Sequence, residues 1–190
     1  MSIAVIDCGG ANLRSVQHAF EQKGYETFVT KNNAQIRQAS HVVIPGVGSA
    51  GRVMDALNTL ELTSVIKSLH QPVLGICIGM QIFYEFSHEQ NTKCLGVFNG
   101  EIKKLPIDQG IKIPQMGWNE VIFNASALSH LNNHYYFANS YYAEKSLDTA
   151  AISDYEIPMS SVVIKNNFIG CQFHPEKSSV AGAEFLDYFL

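Results

Sequence analysis

Cys77 has a glycine two residues away on either side, in the stretch Gly75-Ile76-Cys77-Ile78-Gly79-Met80-Gln81. The apolar run 72–76 before it is short enough to be a fully buried strand. After it, Met80, Ile82, Phe83 and Phe86 mark one face of a helix expected to end near residues 85–87. Cys77 therefore sits where a strand turns sharply into a helix, the layout Gly-x-nucleophile-x-Gly with a thiol as nucleophile. The glycines permit the turn and the close approach of another chain. The helix start favours a thiolate by its partial positive charge, and it offers free backbone N–H groups for an oxyanion. A lone cysteine in such a run is equally a buried structural thiol, so the assignment needs a base.

The base lies near the other end, in Gly170-Cys171-Gln172-Phe173-His174-Pro175-Glu176-Lys177-Ser178. Residues 168–173 read as a strand, which puts His174 at its end. Pro175 pushes His174 into an extended conformation. Residues i and i+2 of an extended segment point to one side, so Glu176 is expected to reach the imidazole, fix its tautomer and stabilise imidazolium. By itself a His-Pro-Glu run is an ordinary surface turn. Together with Cys77 it completes a set of nucleophile, base and orienting carboxylate.

With these residues the chain resembles the class I (triad) glutamine amidotransferases, and among them the glutaminase subunits of imidazole glycerol phosphate synthases. The resemblance runs from Ile3 to the last helix. It is carried, in order, by Pro45-Gly46-Val47-Gly48, residues 75–81, Met116-Gly117-Trp118-Asn119 and His174-Pro175-Glu176-Lys177-Ser178. It implies hydrolysis of L-glutamine through a γ-glutamyl thioester, without a cofactor or metal. Residues 46–48 would be the oxyanion strand, with Val47 and Gly48 beside the substrate carbonyl and Ile78 giving a second donor. Gly46, Gly48, Gln81, Glu89, Ser140 and Tyr141 would contact glutamine, Glu89 through its ammonium group. The ammonia would pass to a (β/α)8 cyclase subunit in a heterodimer, with Asn12, Trp118, Asn119, Tyr136 and Lys177 near the subunit contact. The alternative reading is core packing for Trp118 and Tyr136, and a solvated charge for Glu89.

The chain departs from the family pattern at Cys8, where Tyr is common, and Ala11, where Gly is common. It departs again at Gln115, where His often stands, and at Ala138-Asn139, which replaces Val-His. None of these removes the triad. They leave open a second destination for the ammonia, amidation of a surface-polysaccharide sugar. A catalytically silent regulatory subunit and a stand-alone cysteine hydrolase are the readings of another class.

The elements that must position these residues alternate in the first half. Strands are expected at 3–6, 25–29 and 41–44. Helices are expected from Asn12 to Gly24, from Asn32 or Asn33 to Ala39, and over 50–57 and 62–69. Downstream of Cys77 the pattern changes to short strands at 100–105, 118–122, 134–142, 149–152, 161–164 and 168–173, with a final helix ending at 184–189. The expected fold is α/β and three-layered: a flavodoxin-like, mostly parallel central sheet with helices on both faces, and an added mixed or antiparallel sheet in the second half. The site then belongs at the carboxyl ends of strands.

Composition agrees with one soluble domain over residues 1–190. Hydrophobic residues make up 46% and charged residues 16%, enough to bury a core without crosslinks. A net charge of −4 without a Lys/Arg cluster speaks against nucleic-acid binding. No apolar run approaches membrane-spanning length, and the start lacks a basic leader, so a cytoplasmic chain is expected. Cysteines at 8, 77, 94 and 171 lack Cys-x-x-Cys spacing, and His130 and His134 flank a loop-like stretch, so no zinc site is expected.

Overall fold

A computed structural model of the chain describes residues 1–9, 13–46, 48–106 and 112–190. The first half alternates as read: β1 (Ser2–Ile6), α1 (Leu13–Glu21), β2 (Glu26–Thr30), α2 (Asn33–Gln38), β3 (His41–Ile44), α3 (Ala50–Thr59), α4 (Leu62–Lys67), β4 (Val73–Ile76) and α5 (Ile78–Gln81). Then come β5 (Phe86–Ser87), β6 (Thr92–Lys93), β7 (Glu101–Lys104), β8 (Gln115–Phe123), β9 (Asn133–Asn139), β10 (Tyr141–Ala143), β11 (Thr149–Asp154), β12 (Pro158–Lys165), β13 (Phe168–Cys171) and α6 (Ser179–Phe189). Asn32 caps α2 by accepting the Gln35 N–H at 3.1 Å. Asn12, the expected cap of α1, lies outside the described residues. No helix among the described residues is long and apolar enough to cross a membrane.

Nine strands form one sheet in the order β2-β1-β3-β4-β13-β12-β11-β8-β9. Its first five strands are parallel, in the flavodoxin-like order. β1, β3 and β4 are almost wholly buried, as continuous apolar runs covered on both faces must be. α1 and α6 meet on one face through Phe20–Phe189 and the Lys23–Asp187 ion pair, while α2 to α5 pack with one another on the opposite face. The antiparallel strands β12, β11, β8 and β9 continue this same sheet. The added sheet is a separate mixed layer of four short strands, β10-β7-β5-β6.

Two expectations are corrected. The helix after Cys77 ends at Gln81 instead of residues 85–87. The carbonyls of Ile82, Phe83 and Tyr84, which would have continued it, instead accept N–H groups from residues 95–98, and β5 follows at Phe86. A four-residue helix gives Cys77 nearby N–H groups but little macrodipole. The expected strand 134–142 is two strands in two sheets. β9 pairs with β8, Ser140 accepts the Leu105 N–H at 2.9 Å, and β10 pairs with β7. The aromatic run has no glycine or proline to mark this switch; pairing partners elsewhere in the chain impose it.

Candidate active site

Cys77 follows β4 directly and has φ 52° and ψ −108°, a strained conformation for a residue with a side chain. Its surroundings leave it no alternative. Its N–H donates to the Cys171 carbonyl at 2.7 Å, continuing the β4–β13 ladder. A Cβ at Gly46 would lie 2.0 Å from the Ile76 oxygen and 2.6 Å from the Ile78 nitrogen, and one at Gly79 would lie 2.0 Å from the Ile44 oxygen. Backbone thus packs directly on backbone between the end of β3 and the turn at Cys77, which is the close approach the flanking glycines permit. Ile78, first residue of α5, has an N–H without an intrahelical acceptor.

His174 stands three residues after β13, its backbone held from both sides. Its N–H donates to the Tyr136 carbonyl at 2.8 Å, and its own carbonyl accepts the Ser178 hydroxyl at 2.6 Å. Ser178 in turn accepts the Tyr136 N–H at 3.0 Å. The imidazole Nδ1 lies 2.9 Å from Glu176 Oε1, both side chains being buried. The pair meets by a different route from the extended i, i+2 geometry expected: His174 is extended, but Pro175–Lys177 form a tight 3-10 turn that folds Glu176 back. Burial acts to lower the His174 pKa, but the hydrogen bonds with Cys77 and Glu176 outweigh it and push it up to about 10. The other thiols differ. Burial raises Cys8, assisted by Asp7, to about 12 and Cys94 to about 11, and it holds Cys171 well above the ordinary range.

Cys77 and His174 open on a cavity of about 340 Å³, whose walls include Gly46, Gly48, Ile78, Gln81, Glu89, Ser140, Tyr141 and Lys177. Distant parts of the sequence converge here: the ends of β3, β4 and β13, and the crossover from β9 to β10. Gly48, at φ +95°, adopts a backbone conformation that favours glycine. Glu89 reaches the wall, and its Oε2 accepts the Ala50 N–H at 2.7 Å at the start of α3, so part of its charge already serves the fold. Val47 lies outside the described residues. A larger depression of about 550 Å³ lies beside α3, α4 and β6, lined by Lys67, Lys93 and Cys94. It has no acid–base pair and no strained nucleophile, so size does not locate the chemistry.

Of the residues placed near a partner, three form a row. Trp118 and Tyr136 are paired across β8 and β9, their rings edge to face at 6.2 Å, and Lys177 Nζ lies 5.8 Å from the Tyr136 ring centre. The row leads from the cavity to an exposed face where Met116, Trp118 and Ile122 are 65%, 54% and 40% exposed. The exposure of Trp118 speaks against core packing, the alternative to a partner contact. Asn119 points to the other side of β8, where it donates to the Asp154 carbonyl at 2.9 Å. Gln115 and Asn139, two of the departures from the family pattern, are register partners across β8 and β9 and are both buried.

Sequence reasoning missed Gln172, Ala138 and Ser178. Gln172 is fully buried with its Nε2 3.6 Å from Cys77 Sγ. The signal was available: a long polar side chain between Cys171 and Phe173 in a buried strand end must find partners. Ala138 places its carbonyl 3.9 Å from the same sulfur, a backbone contact that no side chain announces.

The sequence profile described as "Glutamine amidotransferase class-I" matches residues 4–190. The chain is 42% identical to "Imidazole glycerol phosphate synthase subunit HisH" of Haemophilus influenzae, covering all of this chain and 97% of that one. It is 41% identical to the protein of the same name from Bacteroides fragilis, covering 100% and 99%. Among solved structures it is similar to "Crystal structure of glutamine amidotransferase", with TM-score 0.79, 13% identity, and 99% and 96% of the two chains covered. A chain of PurLQS from Thermotoga maritima gives TM-score 0.73 at 15% identity, with 100% and 99% covered. The chain belongs to the class I glutamine amidotransferases.

Proposed function

We propose that the chain folds as a single glutaminase domain and is the glutaminase subunit of an imidazole glycerol phosphate synthase. It hydrolyses L-glutamine and delivers the ammonia to a (β/α)8 cyclase subunit, whose product is imidazole glycerol phosphate. The observation that carries the chemistry is the buried Cys77–His174–Glu176 set opening on a cavity of amino-acid size. The names of the relatives, matched over their whole length, support the pathway.

In this reading the Cys77 sulfur attacks the side-chain amide carbonyl of glutamine. The Ile78 N–H receives the developing oxyanion, with Val47 as the second donor. His174, held protonated by its partners, gives its proton to the departing ammonia. The now neutral imidazole takes a proton from water, which attacks the thioester and releases glutamate. Glu176 keeps the ring in one tautomer throughout. Gln81, Glu89 and the Ser140–Tyr141 crossover hold the amino-acid end of the substrate.

The cyclase docks on the exposed face of β8, and Lys177 and Tyr136 connect that face to the cavity. A second reading, ammonia supply to polysaccharide sugar amidation, rests on the paired departures Gln115 and Asn139. The test measures glutamate release by the chain alone, with a cyclase subunit, and with cyclase plus its ligand. Partner and ligand together are expected to raise kcat by at least about 10²-fold, the effect of gaining one oxyanion donor. Full turnover by the chain alone, or stimulation only by a sugar-amidating partner, would overturn the assignment to this synthase.

A further inference from the structure

Gln172 is a buried primary amide, with two N–H donors and one carbonyl acceptor to satisfy. Its Oε1 accepts from Gln81 Nε2 at 2.8 Å, and its Nε2 lies 3.6 Å from Cys77 Sγ. Gln81 Nε2 also donates to the Tyr141 carbonyl at 3.0 Å. These three contacts have only one consistent direction. The Tyr141 carbonyl can accept but never donate, so it turns the Gln81 nitrogen toward itself. The second hydrogen on that nitrogen goes to Gln172, which must present its oxygen. The Gln172 nitrogen is then left facing the sulfur. A flipped Gln172 would set its nitrogen against the Gln81 nitrogen, losing that bond, and its oxygen against a sulfur that could meet it only as a protonated thiol. The orientation is therefore imposed from the backbone of β10, independently of the state of the thiol.

We infer that Gln172 is a further catalytic residue, a fixed hydrogen-bond donor to the Cys77 sulfur that stabilises its anionic form, with Gln81 the positioning residue that aims it. The sulfur needs such a donor. The Ala138 carbonyl, 3.9 Å away, suits a thiol and opposes a thiolate. The four-residue α5 contributes little field. Buried from water, an anionic sulfur has the His174 imidazolium as its charged partner, and neutral donors must meet its remaining lone pairs. His174 takes the proton, and Gln172 makes that transfer favourable without exchanging a proton itself.

The role rests on Cys77 being the nucleophile, and its test needs no glutamine turnover. Gln172→Met keeps length and loses the donor; Gln172→Glu keeps shape and, when ionised, only accepts. Alkylation of Cys77 by iodoacetamide is followed by mass spectrometry between pH 5 and 9, beside thermal melting and the kinetics of glutamate release in the partnered enzyme. Loss of a hydrogen bond to a charged group corresponds to a factor of roughly 10–100. Gln172→Met is expected to slow alkylation at pH 7 by that factor and move its pH profile upward. It should lower kcat similarly with KM within about twofold, on that same single-bond argument. Gln172→Glu should be slower still, and Gln81→Met should show a smaller drop. Folded Gln172→Met protein with an unchanged alkylation profile would overturn the role. Should these variants fail to fold, the side-chain amide resonance of Gln172 in selectively labelled native protein decides. It is expected to move on Cys77→Ala, and an unmoved resonance would also overturn the role. Absent glutamate release by native protein whose alkylation behaves as expected would instead count against the glutaminase reading alone.

Discussion

The parallel and antiparallel parts of the large sheet contribute to the site in different ways. In the parallel part, β3, β4 and β13 end at the same edge, so the loops carrying Gly46 and Gly48, Cys77 and Ile78, and His174 and Glu176 converge without further arrangement. Their strands are buried on both faces, and Cys77 and His174 are fixed to backbone packed on both sides. The antiparallel part reaches the site by curling. β9 stands four places from β13 in strand order, yet its Tyr136 carbonyl accepts the His174 N–H. β8 is paired in register with β11 only at Ile122 and Phe123, with one further side-chain bond from Asn119 to the Asp154 carbonyl, and the rest of the β8–β9 ribbon folds back over the cavity. Its outer face stays open, with Met116 and Trp118 exposed. In the proposed function, one part holds the reacting groups and the other supplies a wall of the cavity and a face for the partner.

If that division is right, substitutions in the two parts should fail differently. The largest effect is expected for Cys77→Ala, which should lower glutamine hydrolysis by more than about 10⁴-fold, as loss of a nucleophile does in comparable triads. Synthesis from added ammonium by the partnered enzyme should persist. Loss of both activities with the complex intact would give Cys77 a structural role and blur the division. Gly46→Ala tests the rigid part without removing a reacting group. A Cβ there would meet backbone on both sides of Cys77, so a stability loss of about 1–3 kcal/mol or more and loss of turnover are expected. Denaturant midpoints and glutamate release measure both.

Trp118→Ala probes the open part. Half exposed, the side chain should leave the stability of the isolated chain within about 0.5 kcal/mol of its original value. As an aromatic anchor it should weaken partner binding by about 2 kcal/mol, roughly thirtyfold. Titration of cyclase-stimulated glutamate release reads this directly. A stability loss without a binding loss would make Trp118 part of the core after all.

Legibility follows the same division. The parallel half could be read from Ile3 to Ile76 because its strands are apolar runs between helices of clear periodicity, and its glycines mark turns that only glycine tolerates. Cys77 and His174 could be found because their neighbours, glycine and proline, leave local signals. The β9–β10 crossover at Ser140 could not, since it depends on pairing with β7, about forty residues earlier. The early end of α5 likewise depends on residues 95–98 capturing carbonyls of Ile82, Phe83 and Tyr84. Gln172 stood inside the quoted motif and was passed over because its partners, Gln81 and Cys77, are nearly a hundred residues away.

His174 gives the rigid part a pH signature. Its pKa is about 10 in the folded chain, against an ordinary value of 6.5. Between these values His174 of the folded chain holds a proton that it has lost in the unfolded chain, and this changes the proton count wherever Cys77 keeps its own. The stabilisation is therefore complete below about pH 6.5 and is lost as pH rises through about 10. Unfolding free energy should thus decline from pH 7 to 8, a window below the ordinary value of 9 at which unfolded Cys8, Cys94 and Cys171 ionise and above the range of His41, whose pKa burial lowers. Glu176→Gln removes one of the two contacts that raise His174, so the decline should still begin near pH 6.5 but level off at lower pH. Parallel curves for the two proteins would mean that Glu176 does not hold the proton on His174.

The smallest effect concerns the turn itself. Cys77 has φ 52°, where a side chain is strained and glycine is not. Cys77→Ala keeps a Cβ in that conformation, while Cys77→Gly removes it; both lack the sulfur and its bonds to Gln172 and His174. The difference between them therefore isolates backbone strain. Glycine also loses more conformational freedom on folding, which offsets part of the relief. With strain of about 1–3 kcal/mol against an entropy cost of about 0.5–1 kcal/mol, Cys77→Gly should be the more stable by on the order of 1 kcal/mol. Denaturant melts of the two inactive variants at one pH measure it. Equal midpoints, or a more stable alanine variant, would mean that the packing of β3 against the turn does not hold Cys77 under strain, and the contrast between a rigid and an open part would then rest on burial alone.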